Sequence, residues 1–182
     1  MTYDPDRHHR RSIRLHGYDY RQAGAYFVTI VCKDRALLLE DSAFRAIVEE
    51  AWHWLADQHE FVRLDEYVIM PNHLHGIIVI GDIRRGGSRT APTSPTHRKP
   101  LGRLIGAFKT LSTKRINGTR GTPGVPLWQR NYYEHVIRDD EDLERIRQYI
   151  IDNPARWHED PENPNADVGA GPDARPSAGA LS

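Results

Sequence analysis

Tyr67-Val68-Ile69-Met70-Pro71-Asn72-His73-Leu74-His75-Gly76-Ile77-Ile78-Val79-Ile80 is a pair of apolar, β-rich runs interrupted by Pro-Asn, with two histidines opening the second run. Side chains alternate faces along a strand, so His73 and His75 project from one face and Leu74 from the other. Two imidazoles on one face can share a metal ion. Pro71 and Asn72 are turn residues, so the second run folds back on the first as a hairpin and the pair rides on a stiff, paired strand. Taken alone, the two histidines also suit hydrogen-bonded imidazoles that bind nothing.

Before the hairpin, residues 26–32 (Tyr-Phe-Val-Thr-Ile-Val-Cys) read as a strand, with Gly24 as the preceding turn residue. Over Ser42–Gln58 the apolar positions Phe44, Ile47, Val48, Ala51, Trp52 and Leu55 fall at helical spacing, with Asp41 or Ser42 as cap. The hairpin strands span 61–70 and 73–80. Residues 81–100 are rich in Gly, Pro, Ser, Thr and Arg and are expected to form a mobile loop. Leu101, Leu104, Ile105, Phe108, Leu111 and Ile116 trace a second amphipathic helix, expected to break at 118–126. Residues 128–137 are a strand candidate. Acidic residues 139–142 suit the positive end of a third helix, which Pro154 is expected to stop near Asn153. Leu143, Ile146 and Ile150 form its apolar stripe, and Tyr149 and Asn153, four apart, share a neighbouring face.

Strand, helix, strand, strand, helix, strand is the order of an α+β, ferredoxin-like βαββαβ core with an antiparallel sheet and two helices on one face. The third helix is additional and can cross the open face beside the histidines. The chain of 182 residues suits one domain. That domain is expected over 14–157, between a flexible basic arm (1–13) and a disordered tail (158–182).

Lys plus Arg and Asp plus Glu are 25 each, so net charge names no partner. Their distribution does. No Asp or Glu occurs from Ile83 to Tyr133, while that stretch carries eleven Lys and Arg residues, as a polyanion binder requires. Arg103, Lys109, Lys114 and Arg115 lie on the polar side of the second helix. With Trp128 and Arg130, which can stack on bases or contact phosphates, they are the candidate DNA contacts. A buried Trp128 packed under the helix is the competing reading. Cys32 is a lone cysteine, which excludes an intrachain disulfide, and no run has the roughly 18 apolar residues of a membrane span. The expectation is a cytoplasmic, nucleoid-associated protein.

Pro71-Asn72-His73-Leu74-His75 resembles the His-hydrophobic-His motif of the HUH endonucleases. Gln148-Tyr149-Ile150-Ile151-Asp152-Asn153-Pro154 resembles the catalytic helix of their single-tyrosine transposase branch. Gly24-Ala25-Tyr26-Phe27-Val28-Thr29 and residues 128–138 resemble that branch's first strand and the approach to its catalytic helix. The most similar group is the REP-associated tyrosine transposases. The resemblance implies an HUH endonuclease fold and a divalent cation, Mg2+ or Mn2+, on His73, His75 and Asn153. It also implies Tyr149 as nucleophile toward single-stranded or hairpin DNA at REP-like palindromes, through a 5′-phosphotyrosine. Asn153 is equally a helix terminator, and His135 is either a supporting or a structural residue. Two other classes stay open: a phosphodiesterase using activated water, and a non-catalytic hairpin binder. A monomer and a homodimer exchanging the third helix are both compatible with the connection before it.

Overall fold

The computed structural model describes residue 20, residues 22–81 and residues 99–166. The expected basic arm and nearly all of the expected loop at 81–100 lie outside the described residues. The elements are β1 (Gly24–Val31), α1 (Ser42–Gln58), β2 (Val62–Ile69), β3 (His73–Ile80), α2 (Leu101–Arg120), β4 (Tyr133–Ile137) and α3 (Asp140–Asp152). The four strands form one sheet in the order β2-β3-β1-β4, and every paired neighbour is antiparallel. This is the expected ferredoxin-like α+β sheet.

Strand alternation divides the side chains between two layers. Tyr26, Val28, Ile30, Leu74, Ile78 and Ile80 pack with Val48, Trp52, Leu55, Leu104 and Phe108 of α1 and α2. Phe27 and Ile77 face the other way and meet Ile137 of β4 and Ile146 and Ile150 of α3. The third helix therefore covers the open face, on the stripe its spacing predicted. At Gly76 the Trp52 indole of α1 packs directly on the sheet: a Cβ there would lie 2.5 Å from Trp52 Cζ2, so only glycine admits the indole. Cys32 is fully buried, which pushes its thiol up to about 12 and removes it from chemistry at neutral pH.

Caps account for the helix starts. The Asp41 carboxylate accepts from the Ala43 and Phe44 amides, and Asp139 accepts from Asp142 N at 2.8 Å. α2 runs to Arg120 and ends at Gly121 in the left-handed conformation (φ 65°), inside the stretch expected to break it. Other boundaries depart from expectation. Residues 129–132 are not strand: the carbonyls of Gln129, Arg130 and Asn131 converge on Lys109 Nζ instead of joining the ladder. α3 does stop before Pro154 as expected, ending at Asp152 with Asn153 as its C-cap, and a separate 3-10 segment follows over Asn153–Glu159. The expected boundary at Trp157 is also too early, since Asp160, Glu162 and Asn163 are buried. No helix among the described residues is long and apolar enough to cross a membrane.

Candidate active site

Across the open face, register aligns Val68 of β2, His75 of β3, Thr29 of β1 and Tyr133 of β4. Thr29 Oγ1 lies 2.9 Å from His75 Nδ1. One pleat away, Asn72 Nδ2 donates to the carbonyls of Arg35 (3.2 Å) and Glu162 (2.6 Å), which turns its Oδ1 toward His73 Nδ1 at 2.8 Å. An amide oxygen only accepts, so His73 carries its proton on Nδ1 and leaves a lone pair on Nε2. Asp34 and Arg35 both hold left-handed backbone (φ 56° and 55°), and the turn they make presents the Arg35 carbonyl to Asn72.

The two Nε2 atoms face each other at 2.9 Å. Two lone pairs at that distance repel unless a proton or a cation lies between them. The Asp160 carboxylate is 3.7 Å from His73 Nε2 and 3.9 Å from His75 Nε2, and all three side chains are buried. Burial alone would push the Asp160 carboxyl up. The imidazoles of His75 and His73 and the Asn153 carboxamide outweigh that and hold it below the usual range.

Two ligands about 2.1 Å from one octahedral ion lie about 3 Å apart when adjacent and about 4 Å when opposite. The nitrogen pair matches the first value and the carboxylate falls between them. Asp160 Oδ2 and Asn153 Oδ1, both buried, have no hydrogen-bond partner among the described residues, as atoms awaiting a ligand would. Two imidazoles and a carboxylate suit Mn2+, and Mg2+ less well because it prefers oxygen. The residues present therefore fit a divalent ion, and they add Asp160 to the set read from sequence. Asn153 is close by, buried and oriented toward Asp160, in the position of an auxiliary donor.

Tyr149 is half-buried on α3 with its hydroxyl 3.4 Å from His75 Nε2. Its ring meets Phe27 edge-on at 5.9 Å, and Phe27 in turn stacks on His75. A cavity of about 60 Å³ is lined by Tyr149, Asn153, Arg156 and Asp160, so the phenol, the ion-binding group and an arginine border one space. Tyr149, His73, His75 and Asn153 thus come together.

The candidate DNA contacts do not join them. Arg103, Lys109, Lys114 and Arg115 lie on α2, on the other side of the sheet. Arg103, Lys114 and Arg130 are exposed, whereas Arg115 pairs with Glu50 and the Lys109 ammonium is held by loop carbonyls. Burial lowers the Lys109 pKa to about 8. Trp128 does not present a stacking face: it is buried against Phe108, and its indole N–H donates to Ser112 Oγ at 2.9 Å. His135 holds Asp142 at 2.7 Å and clips the start of α3 to β4, which is its structural role.

The chain is 36% identical over 174 residues to an uncharacterised protein of Haemophilus influenzae, covering 87% of this chain and 95% of that one. It is 29% identical over 143 residues to a second Haemophilus influenzae protein, named "Putative REP-associated tyrosine transposase", across 76% of this chain and 74% of the relative. The chain is thus similar in sequence to a protein named for the REP-associated tyrosine transposases. No protein-family model matches. Among solved structures, a REP-associated tyrosine transposase bound to a REP hairpin shares the fold. Its TM-score is 0.55 at 18% identity, covering 81% of this chain and 74% of that one. Asp160 is the member of the candidate ion-binding group that the sequence did not single out, and Thr29 and Asn72 are the residues that orient the imidazoles.

Proposed function

We propose that this chain cleaves and rejoins single-stranded DNA beside hairpin-forming, REP-like palindromes, with Tyr149 as nucleophile and His73, His75 and Asp160 as the holders of Mn2+ or Mg2+. The observation that carries the reading is the Tyr149 hydroxyl, poised 3.4 Å from His75 Nε2 over a buried His-His-Asp cluster. The phenol oxygen attacks phosphorus, the bond from phosphorus to the 3′ oxygen breaks, and a 3′ hydroxyl leaves with a proton. The 5′ phosphoryl group stays on Tyr149, which conserves the ester for rejoining. A free phenol, with a pKa of about 10, is mostly protonated at neutral pH. A bound divalent ion supplies the positive charge that favours the phenolate and offsets charge on the phosphoryl oxygens.

The remaining work falls to the protein. Thr29 and Asn72 fix both rings by their Nδ1 sides, Phe27 sets the angle of the tyrosine, and Arg156 supplies a cation along the cavity for a phosphate oxygen. The hairpin held by the solved relative supports the substrate class, as does the acid-free basic stretch.

The test is incubation with labelled hairpin oligonucleotides, taken from repeats flanking the gene, in Mn2+, followed by denaturing electrophoresis beside Tyr149→Phe. The expected result is a covalent protein–DNA band that is lost both in Tyr149→Phe and with chelator. Cleavage without an adduct and undiminished in Tyr149→Phe assigns the site to water-activating hydrolysis.

A further inference from the structure

Asp160 follows the last 3-10 turn in a stretch without helix or strand, so whatever fastens that stretch decides where its carboxylate sits. The Asp160 amide donates to Trp157 O at 3.2 Å, and Asn163 N donates to Asp160 O at 2.9 Å, which folds the stretch on itself. The Glu162 amide donates to Asp160 Oδ1 at 2.7 Å, and the other oxygen, Oδ2, is the one that faces His73 and His75. Glu162 is in turn tied to the end of the sheet. Its carbonyl accepts from Asn72 Nδ2 at 2.6 Å, and its carboxylate, 4% exposed, lies 3.2 Å from Arg35 Nε.

Arg35 also reaches this corner with its backbone, since its carbonyl accepts from Asn72 Nδ2 at 3.2 Å. Among the described residues, Asp34 and Arg35 are the two non-glycine residues with left-handed backbone. Aspartate tolerates that conformation, whereas glycine, not arginine, is the residue that would make the second step of the turn without penalty. Such strain persists only where surrounding contacts over-determine it, and it gathers at functional sites. The contacts are present: Arg35 N donates to Cys32 O at 3.1 Å, Lys33 N to Leu127 O at 2.8 Å and Leu39 N to Pro71 O at 2.8 Å. What glycine could not supply is the guanidinium on Glu162.

We propose that Arg35 is a positioning residue for the candidate ion-binding group: its guanidinium holds Asp160 at the imidazoles through Glu162, while its carbonyl sets His73 through Asn72. This rests on the reading of His73, His75 and Asp160 as holders of a divalent ion. Partners one contact behind the ligands orient them before the ion arrives, and their loss costs about 10- to 100-fold in affinity. Half-exposed Arg35 belongs at the lower end of that range, because solvent screens its side of the pair.

The experiment compares the unsubstituted protein with Arg35→Met, Glu162→Gln and the double variant, first without metal and then titrated with Mn2+. Hydrogen exchange followed by NMR reads the amides of Asp160, Glu162 and Asn163, which should exchange about tenfold faster in Arg35→Met. Unchanged protection of β3 and α3 shows that the variant is folded. In calorimetry Arg35→Met should weaken Mn2+ binding about tenfold, Glu162→Gln severalfold, and the double variant no more than Arg35→Met alone. Within an Asp160→Asn background, Arg35→Met should cost less than about twofold, because its effect runs through that carboxylate. Unchanged exchange, unchanged Mn2+ affinity, single effects that add, or an equal loss in the Asp160→Asn background overturns the proposal. Faster exchange in Arg35→Met beside an unsubstituted protein that binds no Mn2+ would sink the ion-binding reading and leave Arg35 as the residue that places Asp160.

Discussion

A carboxylate and a carboxamide both approach the two imidazoles, and their ligand chemistry differs. Asp160 brings a full negative charge, whereas Asn153 offers only a dipole to a hard divalent ion. Asp160→Asn is therefore expected to weaken Mn2+ binding at least tenfold in calorimetric titration, and Asn153→Ala threefold or less; the reverse order would hand the third position to Asn153. Gly76 makes an independent prediction about packing. Gly76→Ala drives a methyl into the Trp52 ring and should cost about 1–3 kcal/mol in urea denaturation, because a filled core yields only by off-rotamer shifts. No loss would mean that the indole slides aside freely. His73, His75 and Tyr149 were legible in the sequence because strand alternation and helical spacing are local properties. Asp160 was not. It lies in Glu159-Asp160-Pro161-Glu162-Asn163-Pro164, polar and aperiodic, and its burial is decided by partners such as Asn72, which grips the Glu162 carbonyl from 90 residues away.

At the scale of elements, Tyr149, the proposed nucleophile, is only as well placed as α3, and α3 is pinned to the sheet at its β2 edge. Arg147 grips Asp65 with both arms, Nε to Oδ1 and Nη2 to Oδ2 at 2.8 Å each, where β2 bulges between Leu64 and Tyr67. The Arg147 hydrogen bonds hold the Asp65 carboxyl down at about 2. A depressed carboxyl contributes stability that is fully present above its unfolded pKa of about 3.8 and is lost as pH falls through about 2. With one side of the pair partly open to solvent, that contribution is on the order of 1–2 kcal/mol. Wild type should therefore lose its stability advantage over Asp65→Asn between about pH 4 and pH 2 in urea midpoints; a constant difference across that window would remove the ion pair as the cause. Arg147→Met should slow adduct formation tenfold or more with hairpin affinity within twofold, because the helix loses its register and the DNA contacts do not. The other elements show why local signals reached the fold but missed some ends. Gly118 costs about 1 kcal/mol inside a helix, yet Phe108 and Ile116, buried on the turns before it, outweigh that penalty, and the chain turns only at Gly121. Residues 129–132 look extended, but a single lysine from α2 takes the carbonyls of Gln129, Arg130 and Asn131.

The whole molecule is formally neutral, and a neutral protein has no overall attraction for DNA; what it has is separated charge. Between Ile83 and Tyr133 the basic residues have no acidic neighbours in sequence, and folding then sorts them by use. Lys109 is consumed by backbone carbonyls and Arg115 by Glu50, while Arg103, Lys114, Arg120 and Arg130 remain exposed. If three or four of these each displace one condensed counterion from a single strand, the logarithm of affinity falls against the logarithm of salt with a slope of about −2 to −3. Raising salt fourfold, from about 50 to 200 mM, should then weaken hairpin binding roughly 15- to 60-fold. A slope near zero would sink the basic stretch as a DNA surface. A slope steeper than about −5 would require the arginines of 83–98 to bind as well. Arg103 lies in the first turn of α2 and Arg130 in the connection that follows it, and both are exposed. Arg103→Ala and Arg130→Ala should each flatten the slope by just under one unit, and a variant that leaves it unchanged removes that cation from the DNA surface.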